Sequence, residues 1–359
     1  MNTISPNPES ATLSDLRTRW SDLLKEQPHL RIRNAAHELG VTELELLALG
    51  LGDAVTRLRP DFPALLSRAV ELGHVMALTR NNDVVHERKG TYLNASLDKG
   101  PVGLFVGADI DLRIFWGSWG HAFAVAEPGK DGARLSLQFF AHDGDAIHKI
   151  YLTEGSNVEA FHAIVAAFTS EDQSQQVTVQ PRKAAPAEMP DAAIDVAAFR
   201  AGWLALKDTH DFHMLVGRNR LSRTQALRLA PEGGYATPVA NGALRHVLSQ
   251  ASERTLPIMV FVGNPGMLQI HTGEVKNVVD ARGWFNVLDP EFNLHVREEA
   301  IAQSWIVRKP TDDGMVTALE CFDANGTQLV QIFGKRKPGI PELEEWRTLA
   351  SEVENTLRS

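Results

Sequence analysis

Residues 135–151 read LSLQFFAHDGDAIHKIY, and residues 317–333 read TALECFDANGTQLVQIF. The two stretches align without a gap when Gly144 is set over Gly326, an offset of 182 residues. Coincident apolar pairs include Leu137 with Leu319, Phe140 with Phe322 and Ile150 with Ile332. Self-similarity at a fixed spacing is the signature of a repeated structural unit. The sequence therefore predicts two copies of one fold in tandem.

The correspondence extends upstream through most of each copy. Residues 111–114 (DLRI) match residues 293–296 (NLHV) at the same offset. Nearer the N-terminus the offset becomes 183, where Trp20 meets Trp203. The chain has 359 residues, and a domain takes about 150 residues. Length and repeat together predict two domains, each large enough to bury its own core.

A polar stretch with several prolines separates the two copies and marks the predicted domain boundary. We predict an N-terminal repeat at residues 1–170, a linker at 171–195 and a C-terminal repeat at 196–359. In each copy a helical pattern comes first, alternating segments follow, and an amphipathic stretch ends the copy. The predicted class is α+β, a tandem structural duplication. Each half is expected to have N-terminal helices, a large antiparallel sheet and a terminal helix.

Two glycine-containing dipeptides lie between the alternating segments that align best. Asp143-Gly144 and Asn325-Gly326 occupy equivalent positions in the two copies. Both dipeptides favour tight turns with positive φ, so they predict two-residue β-hairpins. The terminal amphipathic stretches are expected near residues 158–168 and 343–357.

Composition narrows the classes of function. The formal net charge of −9 argues against a surface built for nucleic-acid phosphates. Cys321 is the only cysteine, so neither an internal disulfide nor a thiolate metal cage can form. No apolar run approaches the roughly 20 residues that span a bilayer, and the start of the chain lacks a signal-peptide pattern. We therefore expect a cytoplasmic protein without stable membrane insertion.

No nucleotide-binding loop, dinucleotide fingerprint, metalloprotease motif or nucleophile elbow can be read in the chain. One segment does suggest DNA binding, because residues 35–42 (AAHELGVT) resemble the first helix and turn of a helix-turn-helix. The next helix, residues 42–49 (TELELLAL), is acidic where a recognition helix should be basic. Packing is the favoured interpretation, a DNA-binding regulator is the less favoured one, and nucleic acid is an unlikely partner.

The two copies differ in one chemically important place. With the offset of 183, His210 and His213 stand where the first copy has Gln27 and Leu30. Imidazoles three residues apart share a helical face, and we expect them on or just beyond the core-facing stripe. Hydrogen-bonded core histidines have this spacing, and so does an axial ligand of a haem iron presented by a helix. The spacing alone leaves both alternatives open.

Four strings carry a resemblance to a known family. They are GPVGLFVGADIDLRIFW at 100–116, KDTHDFHMLVGRNRLSRTQALRL at 207–229, IMVFVGNPGMLQIHTG at 258–273 and SWIVRKPTDDGMVT at 304–317. With residues 35–49 and 326–336, they resemble the bacterial cytoplasmic haem-utilisation family of HemS/HmuS/PhuS-like hemin-degrading or haem-transport factors. The resemblance covers essentially the whole chain.

This resemblance implies haem, iron protoporphyrin IX, as the cofactor. The family's haem cleft lies in the C-terminal half, between its helices and the sheet, with an axial histidine from the segment at residues 209–213. His210 falls at the iron-ligand position, and His213 is an alternative ligand or a transfer partner. Asp211 stands where some members have a second adjacent histidine. The resemblance therefore leaves a ligand-switching mechanism open.

Haem also brings two propionates and a large apolar ring, so its pocket needs cations at one edge and apolar walls elsewhere. The polar contacts of the family fall on Arg223, Lys309, Gln331 and Arg336. Arg113 is implied on the distal side of the iron, where it would donate hydrogen bonds to an iron-bound oxygen species. Phe261 and Val262 are candidate wall residues, and plain core residues are an equal alternative for both. No catalytic residue is assigned, and His74, a lone histidine before a predicted strand, is left out of the site.

Two functions from different classes follow. A carrier would receive haem from an inner-membrane haem importer and pass it to a haem oxygenase, which requires an exchangeable axial ligand. An enzyme would open the porphyrin with oxygen and an external electron donor, the cofactor supplying the chemistry. The sequence favours the carrier, because no flavin or nicotinamide fingerprint supplies electrons within the chain.

Overall fold

The computed structural model describes residues 8–129, 132–182, 186–337 and 339–358. Within these ranges each copy begins and ends with helices. The helices are α1 (Pro8–Glu26), α2 (Ile32–Leu39), α3 (Glu43–Ala48), α4 (Phe62–Ser67), α5 (Val158–Phe168), α6 (Val196–Leu204), α7 (Thr209–Arg218), α8 (Arg223–Arg228), α9 (Ala243–Glu253) and α10 (Glu344–Thr356). None of these helices is long and apolar enough to cross a membrane.

Seventeen strands in the described ranges alternate with these helices. The strands of the first copy are β1 (Val55–Leu58), β2 (Gly73–Arg80), β3 (Val84–Gly90), β4 (Val102–Val106), β5 (Asp111–Phe115), β6 (Trp119–Gly129), β7 (Gly132–Ala141) and β8 (Ala146–Ser156). Those of the second are β9 (Ala236–Val239), β10 (Ile258–Asn264), β11 (Met267–Gly273), β12 (Val278–Ala281), β13 (Trp284–Leu288), β14 (Phe292–Val296), β15 (Gln303–Thr311), β16 (Gly314–Phe322) and β17 (Gln328–Gly334). The predicted α+β duplication is confirmed.

The strands form two large antiparallel sheets, and each sheet takes strands from both copies. The nine-stranded sheet runs β1-β6-β7-β8-β2-β3-β14-β13-β12, and the eight-stranded sheet runs β4-β5-β11-β10-β17-β16-β15-β9. The β4–β5 hairpin of the first copy thus extends the sheet of the second, with Arg113 opposite Leu268. In return β14 extends the sheet of the first copy, with His295 opposite Val85. The sequence did not predict this exchange of strands.

Two equivalent asparagines hold the sheets together at the turns β2–β3 and β10–β11. The Asn81 side-chain amide donates to the carbonyls of Gly263 and Leu329, at 3.3 and 2.8 Å. The Asn264 amide donates in return to the carbonyls of Arg80 and Ile147, at 2.9 and 2.8 Å. Each asparagine also accepts bonds from two amides of its own turn. One residue type therefore closes each turn and fastens it to the opposite copy.

The prediction of two-residue hairpins at the repeated glycines is wrong. The amide of Ala141 donates to the carbonyl of Asp145, and that of Asp323 donates to Thr327, at 2.8 and 3.0 Å. Each loop therefore has three residues. Gly144 and Gly326 close them with φ of 82° and 77°, beside a shift of strand register. A left-handed glycine that ends a three-residue loop with a bulge satisfies the same sequence preference as a two-residue turn.

The segment that resembles a helix-turn-helix is used for packing. Gly40 ends α2 in the left-handed conformation, and Thr42 begins α3 through a capping box with Glu45. The side chains along α3 are buried, among them Leu44 and Leu47. A recognition helix has to present an exposed face to a DNA groove. Burial of α3 therefore opposes the DNA-binding interpretation, as its acidity does.

Candidate functional site

One face of the eight-stranded sheet is only partly covered where β5, β11, β10 and β17 lie side by side. Residues opposite each other in neighbouring strands point to the same side of a sheet. Phe261 lies opposite Gln331, and Leu268 lies opposite both Gly263 and Arg113. All of these positions retain partial solvent exposure. The rings of Phe261 and Phe333 add an aromatic pair with centroids 4.9 Å apart on this face.

Val262, the other predicted wall residue, points to the opposite side of the sheet. It is fully buried and packs in the main apolar core of the second copy. Strand residues alternate between faces, so two adjacent residues cannot both line one wall. Of the two alternatives for these residues, Val262 is therefore plain core, whereas Phe261 does lie on the exposed face.

Helix α7 packs beside this face through one aromatic residue. Phe212 is buried and meets the ring of Trp203 edge-on, with centroids 4.4 Å apart. The indole of Trp203 in turn donates to the carbonyl of Arg308 on β15, at 3.0 Å. His210 and His213 point away from this contact and are exposed, His210 by 87% of its side chain. Of the two expected positions, on the core-facing stripe or just beyond it, the histidines therefore take the second, because Phe212 occupies the stripe.

The structure also corrects which residues of the two copies are equivalent. Gly40 and Arg220 both have a left-handed backbone conformation and occupy equivalent positions. Two residues later, Thr42 and Ser222 each cap the helix that follows. The offset is therefore 180 here, not 183, because the second copy is three residues shorter before this point. The counterparts of the two histidines become Leu30 for His210 and Arg33 for His213.

His210 is held by the residue that caps its helix. Asp208 precedes α7, and its carboxylate accepts bonds from the backbone amide of His210 at 2.8 Å and from the ring Nδ1 at 2.5 Å. The bond from the His210 amide is the main reason why the pKa of Asp208 is lowered, and Arg336 lowers it further from nearby. Asp208 was not predicted, although its place one residue before the helix is the usual signal for a cap.

Two of the predicted cations meet at a buried carboxylate that the sequence did not reveal. Arg223 donates twice to Glu320, at 2.9 and 2.6 Å, and Lys309 donates to it at 2.8 Å. Gln331 lies opposite Glu320 in the sheet. Ser222 caps α8 and thereby begins the helix at Arg223. Both cations also stand over the Phe212 ring, at 4.5 and 5.0 Å from its centroid.

Burial sets the protonation of this cluster. It lowers the pKa of Lys309 to about 8, and the charge of Arg223 adds to that effect. Burial would raise the pKa of Glu320, but Arg223 and Lys309 together hold it at about 2. At neutral pH the three groups therefore carry one net positive charge. An acidic residue within the apolar strand β16, where the first copy has Gln138, was the available sequence signal.

The other two predicted cations lie at different edges of the exposed face. Arg336 follows β17 and lies beside Asp208, with a terminal nitrogen 3.6 Å from Asp313. Its Nε is buried without a hydrogen-bond partner among the described residues. Arg113 reaches the face from β5 and is paired with Asp111 of its own strand. The face thus joins Phe261, Gln331, Arg113 and the cationic cluster, with the histidines on the bordering helix.

The chemistry of these groups suits an iron porphyrin. The exposed side of α7 carries two imidazoles and Met214, whose side chain is 48% exposed. One turn further, a Cβ atom built on Gly217 would meet no atom within 4 Å, so a flat ligand has room to approach the helix. Imidazole is a common ligand of haem iron, and paired cations bind carboxylates. The site therefore offers exposed imidazoles, an apolar surface and cationic donors, which are the kinds of group that a haem site requires.

A family model described as "Haemin-degrading HemS.ChuX domain" matches residues 40–168 and, a second time, residues 220–353. The chain belongs to this haemin-degrading family. The family's "Hemin transport protein HmuS" from Yersinia pestis is 40% identical over 331 residues, which cover 92% of this chain and 94% of that protein. The double match agrees with the duplication seen in the strands.

Solved structures of the same family extend the likeness to the whole fold. Holo-PhuS, described as a heme-binding protein from Pseudomonas aeruginosa, is 48% identical with a TM-score of 0.92, over 95% of this chain and 99% of that one. ChuS, described as an E. coli heme oxygenase, is 34% identical with a TM-score of 0.85, over 94% and 99%. Members of the family thus carry descriptions as binding proteins, transport proteins and oxygenases.

Proposed function

We propose that this protein binds haem on the exposed face of the eight-stranded sheet and carries it through the cytoplasm. The proposed route runs from an inner-membrane haem importer to a haem oxygenase. One observation carries the proposal: His210 is an exposed imidazole on α7, the helix that borders the sheet face with Phe261 and the cationic cluster. The descriptions of HmuS as a transport protein and of PhuS as a heme-binding protein support it. The single cysteine, Cys321, is free and buried, which suits a reducing compartment.

Each residue of the site has a role in this proposal. His210 is the axial ligand, and His213, one turn along the same helical face, is the alternative ligand or transfer partner. Arg223, Lys309, Gln331 and Arg336 bind the propionates. Glu320 leaves one net positive charge in the cluster of Arg223 and Lys309, so Arg336 supplies the second positive charge that two propionates require. Arg113 faces the opposite side of the ring from the axial ligand.

The equivalent face of the first copy supports the choice of the second copy. There Glu43 and Lys149 form a buried ion pair, with the two side chains 4% and 8% exposed. Arg33, the counterpart of His213, bridges to Asn82 at 2.5 Å and lies 3.8 Å from Glu43. Arg134 covers the Tyr151 ring at 3.8 Å. Charged side chains therefore cover the face that corresponds to the apolar one.

Exposure of the ligand histidine favours carriage over permanent binding. His210 belongs to the first turn of α7, and its ring contacts the exposed carboxylate of Asp208. A carrier has to release haem, and a ligand on an exposed helix end can be displaced by an incoming acceptor without opening the core. The function proposed first is therefore delivery.

An enzymatic role is the second candidate, and Arg113 is the observation that favours it. Its guanidinium lies on the sheet face. From there it would donate hydrogen bonds to an oxygen species bound at the haem. The description of ChuS as a heme oxygenase supports this alternative. An external reductant would have to supply the electrons. Asp111 pairs with the same guanidinium and limits its freedom.

The role of His210 is tested by His210→Ala, with His162→Ala as the control because His162 is an exposed histidine on α5. Loss of the axial imidazole should change the ferric haem spectrum and accelerate haem loss to an acceptor apoprotein. The control should keep the parent spectrum and rate. An unchanged spectrum and rate in His210→Ala would remove His210 from the ligand role.

Delivery and degradation are separated by two reactions run side by side. The haem-loaded protein is mixed without oxygen with a haem oxygenase, and transfer is followed by absorbance. It is also incubated in air with a reductase, with and without catalase. Anaerobic transfer, with haem loss abolished by catalase, supports the carrier. A defined biliverdin isomer formed in the presence of catalase supports the enzyme.

A further inference from the structure

We propose that Asp208 is the positioning residue for the iron ligand: it fixes the ring orientation and tautomer of His210 so that the lone pair of Nε2 is left free for a haem iron. This inference rests on the proposed role of His210. Asp208 Oδ1 lies 2.5 Å from His210 Nδ1 and 2.8 Å from the His210 amide nitrogen. One oxygen atom therefore holds both the backbone and the ring of the same residue.

The backbone that carries this carboxylate is held in place from two directions. The Asp208 amide donates to Asp211 at 3.1 Å, which completes a capping box at the start of α7. Just before it, the carbonyl of Lys207 accepts a bond from the amide of Asp312 in the β15–β16 turn, at 2.9 Å. The cap is thus tied both to its helix and to the sheet. An anchored acceptor of this kind can restrict the rotation of an otherwise exposed imidazole.

The bond to Nδ1 decides what the other nitrogen can do. A carboxylate accepts but does not donate, so it keeps the ring proton on Nδ1 and leaves the Nε2 lone pair free for a metal. Histidines that bind metals commonly have such a partner, which orients the ring and raises its basicity as a ligand. A more basic ligand stabilises ferric over ferrous iron. Asp208 should therefore strengthen ferric haem binding and lower the reduction potential.

The first copy lacks this arrangement. With the structural offset of 180, Pro28 stands at the position of Asp208 and Leu30 at the position of His210. Proline offers neither a carboxylate nor an amide hydrogen for a capping box. The positioning acid and the ligand therefore occur together in one copy and are both missing from the other.

The test compares Asp208→Asn with Asp211→Asn. Asparagine is a good N-cap, so Asp208→Asn keeps the helix start but loses the carboxylate beside the ring. Asp211→Asn weakens the same capping box without touching the imidazole. In the haem-free protein, ring ¹⁵N chemical shifts at a pH where His210 is neutral report the tautomer. We expect the Nδ1–H form in the parent and in Asp211→Asn, and a larger share of the Nε2–H form in Asp208→Asn, because an uncharged amide oxygen holds the Nδ1 proton less strongly than a carboxylate does.

With haem bound, Asp208→Asn should lose haem roughly 10- to 100-fold faster and show a higher reduction potential, while Asp211→Asn matches the parent. A parent tautomer and potential in Asp208→Asn would overturn the inference, and so would equal changes in both variants. If the parent took up no haem, the proposed function would fail, yet the tautomer would still decide whether Asp208 orients the ring.

Discussion

At the scale of single residues, Glu320 decides the electrostatics of the site. It is fully buried between Arg223 and Lys309, and both cations owe their position on the Phe212 ring to it. A buried charge whose partner is removed is strongly destabilising, because its desolvation is no longer offset. We expect Glu320→Gln to lower the free energy of unfolding by about 3–5 kcal/mol, as measured in urea at neutral pH.

The control is Asp280→Asn, which removes one partner of Arg245 at the surface, where the side chains of Arg245 and Asp280 are 42% and 67% exposed. Exposed pairs contribute about 0–1 kcal/mol, so this variant should unfold near the parent midpoint. Equal and small effects of the two substitutions would show that the Glu320 cluster does not stabilise the fold.

The sequence pointed to His210 by its residue type, but the alignment gave it the wrong counterpart in the first copy. An imidazole in only one copy is visible from the alignment, whereas the three-residue shortening before α7 is not. The left-handed residues Gly40 and Arg220 reveal the shift, and a positive φ at an arginine cannot be read from its type. Glu320 was missed because its partners come from α8 and a neighbouring strand, which only the fold brings together.

At the scale of elements, Asn81 and Asn264 in the turns make the most specific contacts between the two copies. Asn264 makes four hydrogen bonds, two within its turn and two to carbonyls of the first copy. Each bond is worth about 0.5–1.5 kcal/mol net. Asn264→Ala should therefore cost about 2–6 kcal/mol in the free energy of unfolding. Asn277→Ala, which loses one side-chain bond to Asp289 at the surface, is the matched control in the same urea titration.

Local elements could be predicted because their patterns are local. The terminal helices α5 and α10 lie where the amphipathic stretches end each copy, and β7–β8 and β16–β17 lie where the alternating segments align. Loop length was predicted wrongly because glycine with positive φ serves two-residue and three-residue hairpins alike. The pairing of β5 with β11 joins residues that are far apart in sequence, and no periodicity encodes such a partner.

At the scale of the whole molecule, the exchange of strands makes the two copies interdependent. A chain of residues 1–170 would have a β4–β5 hairpin without its sheet and a β3 edge without β14. Unpaired edges of this kind promote aggregation. We expect residues 1–170 and residues 196–359 to be poorly soluble when expressed alone and to form a one-to-one complex when co-expressed, as judged by size-exclusion chromatography. Two soluble, folded monomers would contradict this expectation.

The crossing hairpins also bear on ancestry. An ancestral protein with only one copy would have completed its sheet only as a homodimer, in which each subunit contributed a β-ribbon to the sheet of its neighbour. Symmetry would then have obliged both pockets to evolve in step. Gene fusion lifts that obligation, so the two copies are free to carry different residues at equivalent positions, as Pro28 and Asp208 do.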